Sequence, residues 1–352
     1  MGLELSIVSG TTSASDLAEG DQVEVCERIG EPTTYRLRYP LAITDADFPI
    51  LTDGRLDPGG DLSVVVPDGS STQVLVKGQV YGQRVHFHHD VVESWVEVIG
   101  GDTSMEMDRE LKQKAWAPGA ISDSVSSILS GYGVTPDVEA IAVTTTEEDH
   151  LVVQCETDLR FVRRMARRYG CWFWMTTDGA GTTTAHFKRP PLDGAAAITI
   201  AINNATPNVS SLDLDWDVER PTTAIAAQLG LRDKSPIDGQ VERSPLRALG
   251  STAFADVAAA RGVHVVAPAD LAGDLQARSE GALIEAGWFV RVRGQTSVRA
   301  LGAVLRAHTL VGVSGLGTRH SGTYVVSSVR HVIDRTAHVM DFELMRNAWG
   351  AS

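Results

Sequence analysis

Two stretches far apart in the chain share a two-residue period, and a stretch of helical period lies between them. Residues Leu212-Asp-Leu-Asp-Trp-Asp-Val-Glu219 alternate apolar and acidic without a break. Successive side chains on a strand point to opposite faces, so this segment reads as a half-buried strand with Leu212, Leu214, Trp216 and Val218 inward. Near the N-terminus Val23 and Val25 alternate with Gln22 and Glu24, and Tyr35, Leu37 and Tyr39 alternate with Arg36 and Arg38. Residues 75–80 and 95–99 continue the series. Asp53-Gly54, Pro58-Gly59-Gly60 and Pro67-Asp68-Gly69 supply the turns. Many short strands separated by such turns predict a barrel or sandwich.

The texture changes after Gly100. Residues 105–114 read as a helix. Residues 121–130 follow as a second helix, with Ser122 as N-cap, Gly131 past the end, and Val125, Ile128 and Leu129 as one apolar stripe. The clearest helix is 157–169: Leu159, Val162, Met165, Ala166 and Tyr169 share a face, and Gly170 closes it. A buried strand, Cys171-Trp-Phe-Trp-Met175, comes next. Beyond residue 219 a long connection holds helical stretches at 254–261 and 270–286, with Asp270 as N-cap and Gly287 as the closing glycine. Strands resume at 288–294. The end of the chain, residues 310–347, reads as three strands joined by glycine turns. The fold class is therefore α+β, mainly β. A first β-barrel unit spans 1–100, an inserted α/β unit spans 101–208, and a second β-barrel unit spans 209–352 with a helical insertion at about 235–287. Two β units around one α/β unit allow a duplicated barrel.

Composition narrows the function classes. A 43% hydrophobic fraction is enough for a sizeable core, and no run of about 18 uncharged apolar residues is present to cross a membrane. The start, Met1-Gly-Leu-Glu-Leu-Ser-Ile, lacks the basic and long apolar parts of a secretion signal, so synthesis in the cytoplasm is expected. Gly2 and Ser6 alone are thin support for myristoylation, and the segment reads as a strand start. Cys26, Cys155 and Cys171 are far apart and odd in number, which fits reduced, buried thiols. The net charge of −14 is uneven: residues 1–110 hold 20 acids and 7 bases, or −13, and residues 111–352 hold 25 acids and 24 bases, or −1. Phosphate repels such a surface, so the first unit is no nucleic-acid face. It is either a solvated acidic surface or an acidic wall turned toward a channel or a basic partner.

Motifs for chemistry are sparse. His86 and His88, in His86-Phe-His-His89, would share a strand face about 7 Å apart and are the metal candidates, but zinc wants a third or fourth protein ligand and no second cluster is evident. The segment Gly312-Val-Ser-Gly-Leu-Gly317 has phosphate-loop glycines without the Gly-Lys-Ser/Thr, and strands rather than a helix are expected around it. No catalytic signature groups Ser, His and Asp, no cofactor site is read, and the chain is not expected to be an enzyme. The helix at 157–170 carries Arg160, Arg163, Arg164, Arg167 and Arg168 and is net +4 in an acidic protein. Its arginines suit pairing with a neighbouring subunit or partner, or a solvated face. Nucleic-acid binding would want aromatics interleaved on the basic face, and here the aromatics continue into the apolar strand instead.

Several of these segments recur in one order in a known family. Gly78-Gln-Val80 and residues 95–102, then Gln154-Cys-Glu-Thr-Asp158-Leu-Arg-Phe-Val-Arg-Arg-Met-Ala-Arg-Arg-Tyr-Gly170-Cys-Trp-Phe173, then residues 322–331 and 342–347, together resemble the tail-hub family of contractile injection systems. That family includes the phage late-control D proteins, the baseplate hub of contractile phages and the hub part of type VI secretion spike proteins. The resemblance implies a structural homotrimer whose protomers each give two similar barrels, making a pseudo-sixfold ring. One face would meet a hexameric tail tube protein and the other a trimeric spike protein, among other baseplate components. The sequence ends at Ser352 without a needle, which leads to the expectation of a separate spike chain. Asp341 and Glu343, opposite Met340, Phe342 and Leu344 on the closing strand, are then candidates for ring contacts. The rival reading is a monomeric β-rich enzyme or ligand-binding protein.

Overall fold

The alternation read in the sequence is realised as a sheet. A computed structural model describes residues 5–89, 93–141, 143–146, 151–230, 234–265 and 272–351 of the chain. Strands β1 (Ser6–Ser9), β2 (Thr12–Ser13), β3 (Gln22–Arg28), β4 (Thr34–Pro40), β5 (Asp61–Asp68), β6 (Ser71–His86) and β7 (Trp95–Gly101) build its first half. Val23, Val25, Tyr35, Leu37 and Tyr39 are buried as expected, while Arg36 is exposed. The order is β3-β4-β7-β6-β5-β1-β2, all antiparallel. Register shifts at Val64/Val65 and Val80/Gly82 bend β5 and β6, as bulges do.

Two glycines of the family-like segments have a steric reason. The Tyr35 ring lies across β7, so a Cβ at Gly100 would fall 2.0 Å from its Cζ. The Tyr35 hydroxyl donates to the Gly78 carbonyl at 3.2 Å, and a Cβ at Gly78 would meet the Gly101 carbonyl at 2.0 Å.

The second half of the chain extends the same sheet. Strand Leu212–Trp216 pairs with Val290–Ser297, which pairs with His338–Arg346, which pairs with Gly322–Asp334, all antiparallel. Gly322–Asp334 then pairs with β3, from Ser328 opposite Arg28 to Asp334 opposite Gln22. Strands separated by some three hundred residues thus form one 13-stranded sheet. One hydrophobic cluster runs through both halves, from Ile7 to Leu344. The chain is α+β and mainly β.

A second cluster belongs to residues 107–187. Helices α1 (Ile121–Ser130) and α2 (Asp158–Arg168) share it with a three-stranded sheet of Thr135–Val138, Thr183–Lys188 and Trp172–Thr177. The Thr157 hydroxyl caps α2 by accepting from the Arg160 N–H at 3.3 Å. Gly170, at φ +69°, ends it in the left-handed conformation. Beyond a single turn, α3 (Phe254–Val257), helix α4 (Ala272–Ala286) crosses the end of α2. A Cβ at Gly170 would sit 2.6 Å from Ile284 Cδ1, and one at Gly281 would sit 2.6 Å from the Arg168 carbonyl, so only glycines permit this approach.

Several expectations are corrected. Residues 105–114 are not a helix: a 3-10 segment, Thr103–Asp108, is capped by Asp102, and Leu111–Ala115 is a strand paired with Val153–Thr157. Strand pairing outweighs the weak helical pattern there. The residue before α1 is Ala120 and gives no side-chain cap; Ser122 lies buried within the first turn. The helix expected at 254–261 is only Phe254–Val257, and Asp270 lies outside the described residues. Trp216 is not core. It is 49% exposed on a strand that, among the described residues, pairs on one side only, with its ring against Trp349 at 5.7 Å. Cys171 is buried, but Cys26 is half-buried and Cys155 exposed. A four-residue helix, Gly317–His320, follows the Gly312–Gly317 glycines, where only strands were expected.

Candidate functional site

Burial and charge single out two places. The first is the joint between the halves of the sheet. Glu27, on β3, is buried and accepts from Arg306 Nε at 2.6 Å and from the Ala307 N–H at 2.8 Å. Arg306 also donates to the carbonyls of Val74 at 2.9 Å and Leu75 at 3.0 Å. Behind Glu27 lie His331 and His338, both buried, with Nδ1 of the first 3.0 Å from Nε2 of the second. His331 Nε2 lies 3.8 Å from Glu27 and makes no hydrogen bond among the described residues. Burial pushes the Glu27 carboxyl up while the Arg306 guanidinium pulls it down. Burial lowers His338 to about 4 and holds His331 well below its ordinary value, helped by His338 and Arg306. The imidazoles are therefore neutral at pH 7, and the pair bonds as donor and acceptor. His331 belongs to the family-like closing segment, but nothing in the sequence pairs it with Glu27.

The second place is the arginine helix. Arg160 pairs with Asp108 at 3.4 Å, and Arg164 pairs with Glu156 at 2.6 Å. Arg168 is half-buried, and burial followed by the nearby Arg278 lowers its pKa. Below it the Tyr169 hydroxyl donates to Asp274 at 3.0 Å, and Asp274 pairs with Arg278 at 2.6 Å, which ties α2 to α4. Arg163 and Arg167, one turn apart, have no hydrogen bond or ion pair among the described residues. They stand over a cavity of about 500 Å³ between α2, α4 and the sheet. Ile29, Trp172, Phe173, Ile284, Trp288 and Met345 give its apolar lining.

The other candidates are engaged within the chain. Asp341 accepts from Gln295 at 2.7 Å and pairs with Arg330 at 3.3 Å. Glu343 pairs with Arg291 at 3.2 Å and Arg293 at 3.3 Å, and it also lines the cavity. His86 stacks on Trp95, with centroids 5.5 Å apart, and His88 Nε2 sits 3.6 Å from Glu93. Among the described residues no three His, Cys, Asp or Glu side chains gather as a metal would need. No described helix is long and apolar enough to cross a membrane.

Comparison with solved structures places this geometry. A tail protein from Neisseria meningitidis MC58 superposes with a TM-score of 0.66 at 14% identity, over 100% of both chains. The 43 kDa tail protein of prophage MuSo2 from Shewanella oneidensis gives 0.64 at 13% identity, over 99% of both. An E. coli component of the type VI secretion system, itself described as similar to T4 bacteriophage tail proteins, gives 0.58 at 13% identity, over 98% of this chain and 75% of that one. At these identities the likeness shows the fold, which is that of phage tail and type VI secretion proteins, as the sequence resemblance implied. No curated protein matches the chain in sequence. A family model does: the one described as the Alg8 N-terminal domain matches residues 41–335, well over half of the chain, and the chain belongs to that family.

Proposed function

We propose that this chain is the baseplate hub of a contractile injection system or phage-like tail, a structural protein rather than an enzyme. The observation that carries the proposal is full-length likeness to tail proteins on a sheet that binds the two halves of the chain together. On this reading the units at 1–100 and 209–352 are two similar barrels, and the α/β unit at 101–208 is inserted between them. Three protomers close into a ring of six barrels. A hexameric tail tube docks on one face, a trimeric spike on the other, and the ring adapts one symmetry to the other. Closed cyclic assembly buries complementary surfaces without open growth. The strand Leu212–Trp216, paired on one side among the described residues, is an edge that such assembly can cover. The mechanism is mechanical: the hub nucleates the tube and travels with it on contraction.

The Arg163–Arg167 cavity is what favours the second reading, a monomeric ligand-binding protein or enzyme. Native mass spectrometry over a concentration series separates the two. The hub reading predicts a trimer. A species that stays at one chain, and that does not bind tube or spike proteins, would sink it.

A further inference from the structure

The arginine cavity has a chemical complement on the chain itself. Its rim carries Arg163 and Arg167, which have no partner among the described residues, whereas Arg28, Arg220 and Arg291 beside them pair with Glu31, Asp217 and Glu343. Glu285 is the one lining carboxylate without an ion pair among the described residues, so the rim keeps an excess of positive charge. The floor is apolar, and Trp288, 6% exposed, has an indole N–H with no acceptor among the described residues. A volume of about 500 Å³ falls within the roughly 300–1,000 Å³ range of built pockets. The site thus fits a small, apolar-flanked group bearing carboxylates.

Such a group projects from the other end of the β3–β4 hairpin. Residues 42–47 are all exposed, and Ile43 is 52% exposed. Thr44 and Asp47 exchange backbone hydrogen bonds at 2.9 and 3.0 Å around Asp45 and Ala46. Both central residues have positive φ, +52° and +63°, a two-residue turn that normally takes Asn-Gly. Non-glycine residues held this way are strained, and the strain points to a role for the tip. Asp45 and Asp47 make no ion pair among the described residues, and Phe87, 60% exposed, packs edge-on against Phe48 beside them. The tip cannot reach its own cavity: Arg28 borders the cavity at one end of the hairpin, and the tip follows β4 at the other, roughly 20 Å away at about 3.3 Å per residue.

We propose that the cavity receives the Asp45-Ala46 tip of a second copy of this chain, with Arg163 and Arg167 pairing with Asp45 and Asp47 and Ile43 on the apolar floor. This rests on the oligomeric hub reading and names its contact. A site at one end of the hairpin and its ligand at the other make a head-to-tail contact, the kind that closes rings. Arginine forks match carboxylates, so the pairing also fixes register.

The test is charge reversal with rescue. Arg163→Glu with Arg167→Glu, and separately Asp45→Arg with Asp47→Arg, should each shift the association midpoint of the oligomer at least tenfold. Their combination should recover most of that shift. Circular dichroism confirms that each variant is folded. If reversal impairs folding, Arg167→Gln and competition by a synthetic cyclic peptide of residues 42–48 replace it, with at least a threefold weaker midpoint expected. A wild-type oligomer whose midpoint stays within twofold under every one of these changes overturns the contact and leaves the hub reading standing. A wild-type chain that is folded but monomeric throughout overturns both.

Discussion

Acidification tests the joint of the sheet. His338 is buried and its folded-state pKa is lowered to about 4, against an ordinary value of 6.5. His308, stacked on Trp174 with centroids 4.6 Å apart, is lowered by burial to about 3. A depressed histidine pKa means that the fold holds the neutral ring, while the unfolded chain takes up a proton below pH 6.5. The stability is complete above about pH 6.5 and is lost as pH falls toward the folded-state values. Between pH 7 and pH 5 each of these two histidines should cost about 2 kcal/mol by linkage, so the pair costs about 4 kcal/mol. His331 pushes the same way. The buried carboxyls of Glu27 and Asp102, raised by burial, push the other way as they protonate. The histidine part is therefore read as a difference. Urea unfolding followed by tryptophan fluorescence at pH 7 and pH 5 is compared for the wild type and His338→Gln. The variant should lose about 2 kcal/mol less stability on acidification than the wild type. Equal losses in the two proteins would refute the placement of His338 as a buried neutral ring.

Three substitutions probe the fold elsewhere. Gly100→Ala puts a Cβ 2.0 Å from the Tyr35 ring and should cost about 3 kcal/mol or more in chemical denaturation, since neither β7 nor the ring can move alone. Glu27→Gln leaves the Arg306 charge in the joint with only carbonyl partners and should cost about 3–5 kcal/mol, seen as a lower thermal midpoint. Trp216→Asp removes a half-exposed ring whose aromatic neighbour is Trp349, so it should cost only about 1 kcal/mol; loss of folding would return Trp216 to the core.

The sequence made the strands of the first half, helix α2 and the closing strands readable because their apolar residues follow one period over many positions. It revealed which side of β3 is buried, but not that Glu27 meets Arg306 and His331. That contact depends on β3 pairing with Gly322–Asp334, and alternation names a face without naming the partner strand. Trp216 departs from its alternation for a related reason: on an edge strand the inward face can lie beyond the core. Residues 105–114 look helical in isolation, and their strand exists only because Val153–Thr157 lies beside them. The five arginines of α2 are legible as a group. Helical spacing puts Arg160, Arg163, Arg164 and Arg167 on one face, so it does not tell the satisfied pair from the other, and the acids that satisfy Arg160 and Arg164, Asp108 and Glu156, come from other segments. The Asp45-Ala46 tip has no signature, because turns of its type are recognised by asparagine and glycine.

The most direct test of the hub account is electron microscopy of the purified protein with class averaging. The account predicts a closed ring of three chains showing six lobes in alternating pairs, threefold in symmetry and close to sixfold in outline. Isolated single-chain particles, or a ring with any other number of chains, would contradict it.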